Sequence, residues 1–171
     1  MSRLSARADP SFTSALTFQL PSSAASSFIS GLVREPLNGQ VSVCPVADSP
    51  DDPNMDSLGV HVTSVKTVVH NIIFSSTVPA SSFEPHSRTI NLPGITTTPR
   101  KIIEALVKVG GEDKRKFVEY KRDAQVLAIT AHWPGGFDPS NALKLGFAQD
   151  DPETGFETAS QTFKEELEAA K

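Results

Sequence analysis

The chain has one cysteine in 171 residues, so an intrachain disulfide and a cysteine-based metal site are both excluded. It has no excess of positive charge: 16 Lys and Arg stand against 20 Asp and Glu, for a net charge of −4. A nucleic-acid module would carry a basic balance or a basic stripe, so no nucleic-acid partner is expected. No apolar run approaches the ~18 residues of a membrane helix, so no membrane partner is expected either. Neither a collagen-like nor a heptad period is present. Residues 1–10 hold two arginines but lack the apolar segment of a secretory signal. They read as a loose tail on a chain expected to be cytoplasmic.

What is present is one ordinary domain. The length sits within the prior of ~100–200 residues per domain, and ~150 residues suffice to bury a core without staples. Residues 11–171 are expected to form that domain. Residues 13–20 tolerate a strand and stop at Pro21. Serines among 22–26 then offer caps for a helix whose one apolar face holds Phe28, Ile29, Leu32 and Val33. Asn38-Gly39 is a turn, and residues 40–46 follow as a strand. Four aspartates and two prolines in residues 48–57 make a surface loop. A calcium loop would need Gly at its sixth position and Glu at its twelfth, and neither is placed so.

Residues 60–62 read as a strand. Ser64 caps a helix carrying Val65, Val68, Val69, Ile72 and Ile73 with a clean 3–4 periodicity. Residues 88–92 form a strand pattern. The strongest helix signal follows, with Thr97 or Thr98 as cap, Pro99 in the first turn, Ile102, Ile103, Leu106 and Val107 as its stripe, and Gly110-Gly111 as the stop. Residues 117–120 read as a strand and 123–130 as a helix. Residues 133–137 make a turn, Asp138 caps a short helix, and Thr158 caps a final one through Phe163 and Leu167. Short strands with about five or six helices define an α+β (mixed α/β) fold in a single lobe.

Chemical motifs are sparse. Cys44 lies in a strand-like apolar run and reads as a small buried hydrophobe rather than a nucleophile. His61, His70, His86 and His132 show no helical i, i+4 metal pair and have no companion carboxylates, so no metal is expected. Gly-x-Ser-x-Gly is absent, which leaves no nucleophile elbow. His61, ahead of a helix, and His132, beside Trp133, are the candidate acid–base residues.

A resemblance emerges from order and spacing. Ala24-Ala25-Ser26-Ser27-Phe28-Ile29-Ser30-Gly31-Leu32-Val33-Arg34-Glu35-Pro36-Leu37-Asn38-Gly39 resembles the segment where extended short-chain dehydrogenases cross from the nucleotide-binding domain into the substrate lobe. Ile90-Asn91-Leu92-Pro93-Gly94-Ile95-Thr96, the capped helix after it, Ala131-His132-Trp133-Pro134, Phe137-Asp138, Ala142 and Leu145-Gly146-Phe147 are similar to the C-terminal portion of the same group. The group is the NAD-dependent epimerase/dehydratase family, in its D-erythronate dehydrogenase type. The similarity runs, with interruptions, from about residue 14 to the C-terminus.

In that family the N-terminal half binds NAD(P) on a Rossmann sheet, and a Tyr-x-x-x-Lys pair carries the acid–base work. Neither Gly110-Gly111 nor Gly135-Gly136 has the spacing of a pyrophosphate-binding turn. Tyr120 is the only tyrosine, and Ala124 stands four residues on. The family's basic run before the alanine–serine stretch is replaced by Thr17-Phe18-Gln19-Leu20-Pro21-Ser22. The expectation is a chain with no cofactor and no NAD-dependent redox activity of its own.

The resemblance also implies a substrate lobe that takes a small polar or carboxylate-bearing organic ligand. Ser26, Ser27 and Phe28 fall where the family lines a sugar-acid pocket. Arg34 offers a guanidinium fork for a carboxylate, or a surface pair with Glu35. Ser64 and Lys66 are similar to the family's Ser-Pro-Arg element, with Lys in place of Arg. Asn71 matches a family asparagine, or serves as a structural hydrogen-bonding side chain. A cofactor-independent isomerase, cyclase or lyase working through His61 and His132 is the second reading, and a purely structural protein the third. A lobe without its Rossmann half would expose an apolar face, here assigned to the first strand and the Phe28 helix. That implies a homo-oligomer or a partner chain covering the face.

Overall fold

The structure, a computed structural model, describes residues 25–83, 86–87 and 89–170. The tail expected at 1–10 and the strand expected at 13–20 lie outside the described residues, as does position 88.

The helix α1 (Ser27–Leu37) forms the centre of the core, with Leu32 and Val33 fully buried. Sequence periodicity predicts one buried face, but Ser30 and Gly31 are buried too, as expected of a helix enclosed on most sides. The Ser30 hydroxyl meets this by donating to the Ser27 carbonyl at 3.1 Å. The helix stops at Asn38-Gly39, where Gly39 adopts φ +75°, a backbone region that favours glycine. Helices α4 (Pro99–Gly110) and α7 (Gly155–Ala169) pack with α1 to close the main core. The Thr98 hydroxyl caps α4 by accepting from the Lys101 N–H at 3.4 Å, and Gly111 at φ +96° ends it.

Among the described residues, two small two-stranded sheets flank these helices. Strand β1 (Ser42–Cys44) runs parallel to β4 (Val118–Tyr120), with Ser42 opposite Val118. Strand β2 (Val60–Val62) runs antiparallel to β3 (Ile95–Thr97), with Val60 opposite Thr97. The strand expected at 40–46 contracts to three residues, because only those three find a ladder partner. Residues 89–92 carry the expected strand pattern but pair with no strand among the described residues.

The remaining helices are α2 (Asn54–Ser57), α3 (Val65–Ser75), α5 (Ala124–Thr130) and α6 (Ser140–Lys144), with 3-10 turns at Ala80–Ser82 and Glu112–Phe117. The fold is mixed α/β as expected, with seven α-helices among the described residues rather than five or six. The last helix opens earlier than Thr158. The Asp151 carboxylate accepts from the Glu153 and Thr154 N–H groups at 2.9 and 2.8 Å, so α7 starts at Gly155. Among the described residues no helix is long and apolar enough to cross a membrane.

The Phe28 helix does not form the exposed apolar face expected of it. Phe28 itself is 8 % exposed and belongs to the main core. The exposed stripe lies on α3 instead, where Val69, Ile72 and Ile73 are 49, 57 and 65 % exposed.

Candidate functional site

The chemistry-bearing side chains gather around the β2–β3 pair and the two segments that lie against it. The turn at residues 133–137 packs its backbone directly on the strands. A Cβ on Gly59 would stand 3.1 Å from the Gly135 Cα, and one on Gly136 would stand 2.7 Å from the Thr96 hydroxyl. A side chain at Gly59 would need the Gly135 backbone to give by a few tenths of an ångström, and one at Gly136 would displace the Thr96 hydroxyl. Beside this crossing opens a cleft of about 320 Å³, lined by Asn54, Ser57, Gly59, Thr130, Trp133 and Gly135 among others. Its lining joins Trp133 and the apolar Leu58, Leu127 and Ala131 to the polar side chains of Asn54 and Ser57, the mixture expected of a small-ligand site.

His61 sits on β2 against the opposite side of the same turn. Its ring meets Phe137 edge-on at a centroid distance of 5.1 Å. Both ring nitrogens are buried without a hydrogen-bond partner of full geometry. Burial pushes its pKa down, and a weaker contact with the Leu92 backbone offsets this only in part. The imidazole is thus held neutral. A Cβ on Gly94 would lie 2.5 Å from its Nε2, so the pocket around the ring is closed on that side.

Where β2 passes into α3, Asp150 collects four donors. Its Oδ2 accepts from the Ser64 N–H at 2.6 Å and the Thr63 hydroxyl at 3.1 Å. Its Oδ1 accepts from the Thr67 hydroxyl at 2.6 Å and the Ser64 hydroxyl at 2.8 Å. Burial pushes the carboxyl pKa up, but these donors outweigh it and leave the group below its ordinary value. The Ser64 oxygen also accepts from the Thr67 N–H at 3.2 Å, capping α3. Four residues beyond Thr67, Asn71 is 1 % exposed and joins both backbone groups of Ala148, donating to its carbonyl at 2.9 Å and accepting from its N–H at 2.8 Å.

Other sequence candidates lie apart from this centre. Ser26 and Ser27 open α1 and are half-buried, with Phe28 turned into the core. Arg34 is paired with Glu35 at 2.7 Å, both side chains largely covered. Lys66 is exposed on the first turn of α3. His132 is exposed, with its Nδ1 at 2.9 Å from the Ala128 carbonyl oxygen. Neither His61 nor His132 lines the cleft. Cys44 is fully buried and its thiol pKa is pushed up by burial, which suppresses the nucleophilic thiolate. Among the described residues no group of three metal-ligating side chains comes together.

Sequence reasoning missed two features. Asp150 meets Ser64 across 86 residues, and no local spacing signals such a contact. Trp133 reads as a turn residue in the sequence, yet its ring forms a wall of the cleft.

No protein-family model matches the chain. Curated proteins do, two of them over most of the chain. D-erythronate dehydrogenase from Haemophilus influenzae is 35% identical over 145 residues, which is 85% of this chain and 42% of that protein. D-erythronate dehydrogenase from Cupriavidus necator is 33% identical over 151 residues, covering 88% and 43% respectively. Among solved structures, the nucleoside-diphosphate-sugar epimerase from Agrobacterium tumefaciens superposes with a TM-score of 0.77 at 28% identity, over 91% of this chain and 42% of that one. The holo form of a GalE-like L-threonine dehydrogenase from Cupriavidus necator shares the fold, with a TM-score of 0.70 at 15% identity over 91% and 46%. The chain spans less than half the length of each.

These matches overturn the expectation that no cofactor is involved. Both curated relatives are named dehydrogenases. The missing glycine turn and Tyr-x-x-x-Lys pair describe the spanned portion alone. Among the described residues no glycine-rich turn opens a helix at a strand end, so the pyrophosphate cradle of such a cofactor is not formed by them.

Proposed function

We propose, from the premise that this chain corresponds to a C-terminal portion of the NAD-dependent epimerase/dehydrogenase family, that it forms the substrate-side lobe of a dehydrogenase. Its ligand is a small polar, carboxylate-bearing organic molecule of the hydroxy-acid class. The observation that carries this reading is the match to D-erythronate dehydrogenases across 85% or more of the chain. The cleft beside Trp133 supports it: about 320 Å³ holds a four-carbon acid with room for bridging water.

The chain's own groups divide the work. Along the cleft wall the exposed Ser57 hydroxyl and the half-buried Asn54 side-chain oxygen are partners for ligand hydroxyls, while the Thr130 hydroxyl is spent on the Leu127 carbonyl. Lys66, exposed at the start of α3, is a cation that can attract a carboxylate. The Asp150 cluster fixes where β2 ends and α3 begins. The cofactor, when bound by the rest of the family fold, would accept the hydride.

The test uses Trp133, the single tryptophan of the chain. Titration with D-erythronate is expected to shift its fluorescence saturably, and Trp133→Phe to abolish the signal. A calorimetric titration of the unlabelled chain gives the independent measure. No heat and no fluorescence change up to ~10 mM, beyond the usual KM range, would reject the reading.

A further inference from the structure

Helix α2 has four residues, too few to hold itself, since a first helical turn fixes several dihedrals for a single hydrogen bond. Its neighbours hold it instead. Met55 is 1 % exposed and belongs to the main core. Asp56 takes a two-pronged ion pair from Arg100, at the start of α4, at 2.6 and 2.9 Å. Asn54, the residue that α2 brings to the cleft first, is held from the side of the β1–β4 pair.

The link is Asp52, which is 6 % exposed. Its Oδ1 accepts from the Asn54 N–H at 3.0 Å, and its Oδ2 accepts from the Asp48 N–H at 3.1 Å and from the Arg122 guanidinium. A buried carboxylate is costly without such donors. The Asn54 and Asp48 N–H groups, with Arg122 beside them, hold its pKa below the ordinary value. Arg122 reaches Asp52 because the pairing of the two strands carries on past their ends. The Lys121 N–H donates to the Cys44 carbonyl at 3.1 Å, and the Asp123 N–H to the Pro45 carbonyl at 2.7 Å. The Asn54 side chain is anchored on the same loop, its Nδ2 donating to the Val46 carbonyl at 3.0 Å. A planar amide tied down by its nitrogen presents its oxygen, an acceptor, to whatever fills the cleft that Asn54 lines.

We infer that Arg122 is a positioning residue: through Asp52 it sets the Asn54 amide so that the amide oxygen accepts from a hydroxyl of the ligand. This rests on the reading of the cleft as a hydroxy-acid site, and it orients the acid there. A carboxylate at this corner would meet an acceptor, so a hydroxyl-bearing carbon lies against α2 and the carboxylate lies away from it.

The experiment is a double-mutant cycle on the full chain, read by calorimetric titration with D-erythronate. Asn54→Ala is expected to weaken binding roughly 3- to 10-fold, the worth of one hydrogen bond. Arg122→Ala should weaken it by a similar factor and add little in the Asn54→Ala background. Arg122→Lys keeps a charged donor for Asp52 and should recover part of the affinity; it carries the cycle if Arg122→Ala does not fold. Losses that multiply in the double variant overturn the proposal, because Arg122 then acts independently of Asn54, as a merely structural residue would. Unchanged affinity in either single variant also overturns it and leaves the hydroxy-acid reading standing. No binding by the wild-type chain overturns that reading and the hydroxyl contact with it. A second measurement needs no ligand. In NMR hydrogen exchange the Asn54 side-chain amide protons should be protected in the wild type and lose that protection when Arg122 is replaced. Fast exchange in the wild type, or protection that survives the replacement, overturns the positioning role whatever the titration shows.

Discussion

Helices α3 and α4 are close to a matched pair, and the lobe treats them in opposite ways. They have 11 and 12 residues, each opens on a hydroxyl cap, and each carries adjacent isoleucines in its apolar stripe. In α4, Ile102 and Ile103 are 0 and 2 % exposed between α1 and α7. In α3, Ile72 and Ile73 are more than half exposed, and an asparagine occupies the buried position. An apolar stripe states which face of a helix favours burial. Whether the face is buried depends on what stands opposite, and for α3 the lobe supplies hydrogen-bond partners on the other side.

The sharpest way to break this comparison is to truncate the same residue type in both helices. Ile102→Ala should lower unfolding free energy by about 2–5 kcal/mol, the range for cavities in well-packed cores. Ile72→Ala should stay within about 0.5 kcal/mol, as for exposed positions. Denaturant unfolding of the two variants measures both, and equal losses would erase the distinction.

Asn71 tests the other side of α3. Replacing it with Ala leaves the N–H and carbonyl of Ala148 without their partners, at a cost of about 1–3 kcal/mol. Asn71→Asp keeps the acceptor but loses the donor. Near neutral pH it should cost at least as much as Asn71→Ala in the same unfolding assay, because it buries a carboxylate against the Ala148 carbonyl; a loss smaller than that of Asn71→Ala would show that the Ala148 carbonyl does not face the side chain.

The caps give a smaller contrast. Thr98→Ala in α4 removes one hydroxyl acceptor and should cost about 1 kcal/mol. Ser64→Ala should cost more, because its oxygen both caps α3 and donates to Asp150. Equal losses would mean that the Asp150 contact adds nothing.

The smallest effect is expected from pH. The folded-state pKa of His61 is depressed by burial, so the unfolded chain takes up its proton first as pH falls. Stability is therefore complete above the ordinary value of 6.5 and declines below it, until the folded-state pKa is passed. His61→Phe should flatten the slope between pH 6.5 and 5 in thermal unfolding. An unchanged slope would place the titrating group elsewhere.

How far the sequence carries the fold follows from where each signal originates. Strand β2 and helix α4 match their expected bounds because their signals are local: alternation for one, and cap, proline and glycine stop for the other. Strand β1 comes out shorter than its apolar run because its partner β4 lies some 75 residues away and offers three residues only. Residues 89–92 carry a strand composition without a ladder, since β-propensity describes side chains and pairing needs a neighbour. The site is less legible for the same reason. Ser64 and Asn71 are nameable from local pattern, but their partners Asp150 and Ala148 come from the far side of α6. Arg34 could serve a carboxylate by residue type, and only the structure shows Glu35 holding it.

The parallel pairing of β1 with β4 has a consequence for synthesis. Cys44 pairs with Tyr120, so β1 emerges from the ribosome about 75 residues before β4, its ladder partner among the described residues. At translation rates of ~5–20 residues per second, its backbone edge waits for roughly 4–15 seconds. Val41 and Val43, 54 and 40 % exposed in the finished lobe, sit on that waiting edge throughout. Slowed elongation between residues 45 and 120 would lengthen this interval, and aggregation of the nascent chain should rise with it.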